Sequence, residues 1–215
     1  MDFLADNASL LWRAFLTTLS LSLLAGLVAA VVGTLLAAFR VSPVPPLRGA
    51  ATFYVETLRN TPLTVVFFFV IFGLPQIDLV VSYFPGAVVA VGLYTAAFVC
   101  EAIRSGVNTV AAGQAEASRA LGMTFPQTLR EVVLPQAFRA AIPPLGNVWI
   151  AMVKNTSIAA GFAVTELTSS MQQLANAQAD QLVLVLVAVV VGYCLITVPS
   201  AWAVHRLERK VAVSR

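Results

Sequence analysis

From residue 14 to residue 39 the chain carries no charged side chain. A helix needs about 20 consecutive, mostly apolar residues to cross the hydrocarbon layer of a bilayer. This run therefore predicts a membrane span. Four more runs follow the same rule, at about residues 53–74, 86–103, 138–162 and 182–204. The second opens with Glu56 and Arg59, and the fourth contains Lys154. The fold expected is an all-α integral membrane protein with five transmembrane helices, forming one domain over residues 1–215. Composition agrees. Apolar residues make up 59% of the chain and charged residues 11%, against about a quarter charged in soluble domains. Such a chain cannot dress a surface for water, and its length leaves no room for a separate soluble enzyme.

The net charge of +3 is small, and no basic stripe or aromatic platform marks a nucleic-acid surface. Nucleic acid is not an expected partner. Cys100 and Cys194 both sit in apolar runs, with no metal-ligand or disulfide spacing, and read as small core residues. Asp2 and Asp6 precede the first long apolar run. A cleavable signal needs a basic stretch there and a shorter run, so none is expected.

Orientation follows from the basic residues, which are enriched in cytoplasmic loops. Arg40 and Arg48 follow the first span, whereas residues 75–85 after the second have none. Arg104, Arg119, Arg130 and Arg139 follow the third, and residues 161–181 after the fourth again have none. Arg206, Arg209, Lys210 and Arg215 close the chain. The alternation predicts an outside N-terminus and a cytoplasmic C-terminus, with Arg13 as the one exception.

Pro143, Pro144, Gly146 and Asn147 lie early in the fourth span. Proline removes a backbone donor and kinks a helix. Irregular backbone at membrane depth needs protein or a water-filled cavity around it. The feature fits either a span that lines a pathway or an ordinary kink at a packing site.

Between the third and fourth spans, about residues 106–136 are polar and helical in composition. Residues 113–135 read GQAEASRALGMTFPQTLREVVLP. Two short helices are expected, at 114–121 and 125–134. Gly122 supplies the left-handed turn between them, Pro126 falls in the first turn of the second, and Pro135 separates the loop from the fourth span. Ala115, Ala117, Ala120 and Leu121 form a small apolar face, with Glu116 and Arg119 pointing elsewhere. The pattern fits a knob that docks in a groove of a partner, and equally an amphipathic helix lying on the bilayer.

This segment resembles the EAA loop of ATP-binding-cassette (ABC) importer permeases: Glu-Ala-Ala, three residues, Gly, nine residues, Ile-x-Leu-Pro. Glu116, Ala117, Gly122, Leu134 and Pro135 hold the matching positions, with Ser118 for the second Ala and Val132 for Ile. Arg59-Asn60-Thr61-Pro62-Leu63 resembles the Arg-Gly-Thr-Pro-Leu signature of the polar amino-acid branch. Residues 101–110 (EAIRSGVNTV) and Lys154-Asn155-Thr156-Ser157 resemble other blocks of it. The resemblance runs from about residue 41 to the tail, and residues 40–44 and 59–64 look most similar to glutamate-uptake permeases of actinobacteria.

The resemblance implies the type I ABC importer fold and a multi-pass place in the plasma or inner membrane. It implies two cytoplasmic ATPase subunits, a second permease subunit (the same chain or a related one) and an extracytoplasmic substrate-binding protein, all around a lipid-embedded core. No GxxxxGK[ST] phosphate loop occurs. The chain is thus expected to bind no cofactor and not to be an enzyme, with ATP and Mg held by the partner ATPases. The cargo expected is a polar amino acid, glutamate first, with glutamine, a basic amino acid or an opine as alternatives. An ion-coupled secondary transporter would show inverted repeats and several intramembrane carboxylates. No repeat is visible, and Glu56 reads as the sole plausible intramembrane carboxylate.

Glu116 and Gly122 are the coupling candidates, with Ala117, Leu134 and Pro135 beside them in the motif. Lys154 is the substrate candidate, because a charge at membrane depth costs roughly 2.5–3.5 kcal/mol on insertion scales. It could meet a substrate carboxylate, snorkel to the outer surface or pair with a glutamate. Asn155, Thr156 and Ser157 offer further hydrogen-bonding groups along the pathway. Glu56 and Arg59 lie one helical turn apart and can pair with each other. With Thr61 they are candidates for a gate or a dimer seam. His205 reads as an interfacial residue.

Overall fold

The computed structural model describes residues 2–211. Arg215, counted above in the basic tail, lies outside the described residues. The helices are α1 (Asp2–Asp6), α2 (Ala8–Arg40), α3 (Pro45–Arg59), α4 (Leu63–Phe68), α5 (Tyr83–Asn108), α6 (Ala112–Ala120), α7 (Phe125–Gln127), α8 (Leu134–Asn155), α9 (Leu167–Ala177) and α10 (Leu182–Val211). A π turn at Phe69–Gly73 and a 3-10 turn at Leu74–Ile77 extend α4. Among the described residues three helices are long and apolar enough to cross a membrane, and up to five spans result if each of two bent pairs is one span.

The first bent pair corrects the expected second span. Residues 53–74 are not one helix: α3 and the run Leu63–Ile77 meet at 108°. The cause is local. Pro62 has no N–H to donate and holds an extended ψ of 139°, and its ring disfavours helical backbone at Thr61. The chain closes α3 with side chains instead. The Asn60 amide donates to the Glu56 carbonyl at 2.8 Å, and the Thr61 hydroxyl to that of Thr57 at 2.8 Å. Glu56 and Arg59 thus end a separate helix rather than open a span.

The fourth expected span is corrected in the other direction. Pro135 does not separate the loop from the span, because helical backbone runs unbroken from Phe125 to Phe162. Pro135 cannot donate to the carbonyl four residues back, and a π turn at Thr128–Val133 accommodates the missing bond. Pro143 and Pro144 lie inside α8 without ending it. The backbone changes later, tightening to a 3-10 run at Thr156–Phe162 and stopping at Ala163 with φ +58°.

The packing is that of a membrane protein, with small residues inside and large apolar ones outside. Along α2, Ala14, Thr18, Ser22, Ala25, Ala29, Gly33 and Ala37 are buried. Leu16, Leu23, Leu24, Leu27, Val31 and Leu35 face outward. The inner stripe lies against α5, whose buried positions include Gly86, Ala87, Ala90, Gly92, Ala96, Ala97 and Gly106. Two glycine–valine contacts lock the pair reciprocally. A Cβ on Gly33 would fall 2.6 Å from that of Val99, and one on Gly92 would fall 2.8 Å from that of Val28.

On its other sides α5 meets α8, where Gly106 lies against Ala137 and Ala141, and the run from α4, where Gly86 meets Ile71. Aromatic stacking ties the same run to the 3-10 segment after α8, with the Phe67 and Phe162 ring centres 4.7 Å apart. In α10, Val204 lies against Gly146 of α8, and the Trp149 indole donates to Ser200 at 3.1 Å. The C-terminal ends of α2, α5 and α10 and the start of α8 therefore share one end of the bundle. Cys100 is buried as expected, whereas Cys194 is exposed on α10.

Replacing Gly33 or Gly92 by leucine should force α2 and α5 apart at a cost of about 1–3 kcal/mol. Thermal unfolding of the purified protein in detergent should show a clear drop. Gly49→Ala, inside α3 where a Cβ meets nothing within 4 Å, should hold or slightly raise the midpoint, since alanine is the better helix former. Equal midpoints for all three variants would contradict the packing account.

Candidate functional site

The first candidate region is the loop between α5 and α8. α6 begins directly after α5, with Ala111 extended at its N-cap. Ser118 is its one buried residue among those described. The Ser118 hydroxyl lies 2.9 Å from the Ala115 carbonyl and 3.1 Å from the Thr128 hydroxyl, fastening α6 to the π turn. Gly122 has φ +84°, a left-handed conformation that a side chain with Cβ resists. Its N–H donates to the Arg119 carbonyl at 2.9 Å, and that of Met123 to Ser118 at 3.2 Å. A Thr124–Gln127 capping box then starts α7.

The result is a well-tied knob with an apolar tip, Leu121 being 84% and Phe125 74% exposed. Glu116, Ala117 and Gly122 are exposed on it. Leu134 and Pro135 are not part of the knob: they lie beyond the π turn, where Leu134 lines an apolar groove with Thr34, Ile103, Val107 and Phe138. Ser118 and Thr128 were not singled out from sequence, and the buried serine inside an otherwise exposed helix is the signal that identifies them.

The second region is a cluster of charges near the same end of the bundle. Glu101 of α5 accepts from Arg40 at the end of α2 and from Arg104 one turn on, at 2.7 Å. The Arg59 guanidinium stands 3.6 Å from the same carboxylate, and Glu56 stands 3.9 Å from Arg40. Glu56 and Arg59 therefore do not pair with each other, contrary to the spacing argument, because Arg40 and Glu101 offer them partners on neighbouring helices. Thr61 has its hydroxyl turned back onto α3.

Glu56 is also not the sole carboxylate among the helices. Its side chain is 57% exposed and that of Glu101 17%. Glu166 is fully buried, accepting from the Ser169 N–H at 2.9 Å and the Tyr193 hydroxyl at 2.8 Å. Glu101 was legible in principle, since Glu101 and Arg104 stand at i,i+3 within an apolar run.

The third region is a cavity of about 340 Å³ between α5 and α8, within the range of about 300–1,000 Å³ usual for small-molecule sites. Tyr94, Thr95 and Phe98 form one wall, and Asn147, Ala151, Met152 and Asn155 the other. Of the four pathway residues expected from sequence, the structure brings Asn155 to this cavity. Lys154 is exposed, outside every ion pair found among the described residues. Thr156 is buried, its hydroxyl donating to the Val153 carbonyl at 2.7 Å, and Ser157 is half-buried. Asn147, noted from sequence only as part of an irregular stretch of the fourth span, also lines the cavity, whereas Tyr94 and Phe98 were missed, because only the pairing of α5 with α8 brings them to it.

Nothing crowds a Cβ at Gly122, so its demand is conformational alone. Gly122→Val should cost roughly 1–2 kcal/mol locally and Gly122→Asn less, since asparagine tolerates this backbone. Hydrogen exchange of the Met123 and Thr128 amides should speed up roughly 5–30-fold in the valine variant and less in the asparagine one. Equal acceleration in both would show that crowding, not φ, is the constraint.

The chain as a whole is similar to several known proteins. The chain is 41% identical to the glutamate transport system permease protein GluC of Corynebacterium efficiens, over 98% of each chain. It is 37% identical to the probable glutamine ABC transporter permease protein GlnM of Bacillus subtilis, over 100% of this chain and 99% of the other. A crystal structure of an amino acid ABC transporter with histidines superposes with a TM-score of 0.89 at 28% identity, covering 96% of both chains. The inward-facing MetNI methionine ABC transporter shares the fold, with a TM-score of 0.76 at 22% identity over 97% of this chain and 99% of that one. Residues 12–213 match a single family, and the chain belongs to it: the binding-protein-dependent transport system inner membrane components.

Proposed function

We propose that this chain is the membrane-spanning subunit through which an ABC importer passes glutamate into the cytoplasm by alternating access. The observation that carries the reading is the continuity of the knob with the cavity walls. Only Thr109, Val110 and Ala111 separate α5 from α6, and the run from α7 leads unbroken into α8. A push on the knob therefore acts on both walls at once. The exposed apolar tip and Glu116 suit a groove on a cytoplasmic ATPase, in the helix-in-groove mode. Two ATPases, a second permease and an external binding protein complete the assembly, as in the family's binding-protein-dependent systems.

The shared bundle end, with Arg40, Arg104, Arg139 and Arg206, would face the cytoplasm under the positive-inside rule. Conformational drive then comes from ATP bound to the partners, since a ligand shifts an equilibrium only by binding the two states differently. Asn147 and Asn155 would hold the α-amino and α-carboxyl groups of the cargo, and Lys154, exposed near Asn155, would meet it at the outer mouth. A second cargo, glutamine, is favoured by one observation: the cavity walls carry amides, hydroxyls and aromatic rings but no charge.

Two outcomes are expected in proteoliposomes holding the full complex. Glu116→Ala should lower ATP-driven uptake at least about tenfold while the ATPases still hydrolyse ATP, a loss of roughly 1.4 kcal/mol of coupling. Wild-type uptake in that variant would remove Glu116 from the coupling path. Asn155→Leu should weaken uptake at low substrate more than at saturation, which initial rates across substrate concentrations would read. An unchanged substrate dependence would take Asn155 out of the pathway.

A further inference from the structure

Three arginines surround Glu101, and they are not held equally. Arg104 and Arg40 make direct hydrogen bonds to the carboxylate, whereas the Arg59 guanidinium stands off at 3.6 Å. The cluster contains Arg40, Arg59 and Arg104 against Glu56 and Glu101, so one positive charge has no local counterpart. Arg59 is the least engaged of the three, and its side chain is 40% exposed.

Arg59 is not in the lining of the cavity but stands beside Phe98, a residue of its wall. Its guanidinium carbon lies 5.9 Å from the centre of the Phe98 ring, within the range of a cation–π contact. Phe98 and Tyr94, 5.1 Å apart, form the aromatic wall of that cavity. The cavity's own lining has no charge. A carboxylate entering it leaves water, and Arg59, one ring away, is the cation with charge to spare. Lys154 lies on the Asn155 side, while Arg59 lies beyond Phe98 on the side of Glu101.

We propose that Arg59 makes this cavity favour an amino acid with a second carboxylate. The side-chain carboxylate is received at the Phe98 edge by Arg59, which gives up its loose contact with Glu101. Glu101 is thus an internal stand-in for the cargo, holding Arg59 in place when the cavity is empty and staying neutralised by Arg40 and Arg104 when it is full. The inference rests on the reading above that this cavity holds the cargo.

The test is equilibrium binding of labelled glutamate and labelled glutamine to the detergent-purified permease–ATPase complex without its binding protein. Arg59→Gln should weaken glutamate at least about tenfold, the scale of one charge-assisted hydrogen bond, and leave glutamine within about twofold. Arg59→Lys should retain much of the preference. Glu101→Gln removes the competitor and should tighten glutamate binding, opposite in sign to the Arg59 variant. Equal losses for both ligands in Arg59→Gln, unchanged glutamate binding there, or weaker glutamate binding in Glu101→Gln would overturn the inference. If Glu101→Gln fails to assemble, the two Arg59 variants decide alone. A wild-type complex that binds glutamine but not glutamate overturns Arg59's role and leaves the cavity standing. One that binds neither overturns the cavity reading and this inference with it.

Discussion

The close approach of α5 to its neighbours is the constraint from which the rest follows. In lipid, apolar surface gains little by leaving its surroundings, so helices associate through tight contact between small residues. α5 meets that demand on several faces. Gly92 meets Val28 of α2 while Val99 meets Gly33 of α2, Gly106 admits α8, and Gly86 admits the run from α4. The same helix carries Tyr94, Thr95 and Phe98 of the cavity wall and Glu101 of the charge cluster, and it ends at the knob. Moving α5 by an ångström would disturb all of them together.

This arrangement explains how so small a loop can matter. An exposed nine-residue helix would fray if it stood alone. Here Ser118 is tied to Thr128, Gly122 fixes the turn, and Thr124 caps the next helix. The π turn at Thr128–Val133 then passes the chain into α8 without a joint. Under the proposed reading, a force at the tip would reach α8 through continuous helix and α5 across the three residues that join it to α6. At the same end Glu101 holds α2, α3 and α5 in register through ion pairs, which a change of bundle shape can break and remake.

Much of this was legible in the sequence, and the failures have physical causes. The long apolar helices α2, α5 and α10 follow from charge-free length, and the knob follows from Glu116, Gly122 and the prolines around it. The second span was misjudged because a long apolar run outweighed the local signal of Asn60-Thr61-Pro62, which breaks the helix however apolar its flanks are. Pro135 was over-read for the opposite reason, since a π turn lets a helix absorb a proline that spacing alone marks as a stop. The charge cluster escaped notice because Arg40, Arg59 and Glu101 are far apart in the chain, and only the fold makes them neighbours. Lys154 drew attention as a charge inside a span, but the α5–α8 cavity takes its polar groups from Asn147 and Asn155 instead. No periodicity in one helix could reveal a cavity made by two.

The central claim is that the chain carries cargo on energy supplied by partner ATPases. The most direct measurement is uptake of labelled glutamate into proteoliposomes holding this chain with its co-purifying subunits and binding protein. ATP, and separately an ion gradient, would be the only energy source. The account predicts accumulation that requires hydrolysable ATP and is indifferent to the gradient. Accumulation driven by the gradient without ATP would contradict it.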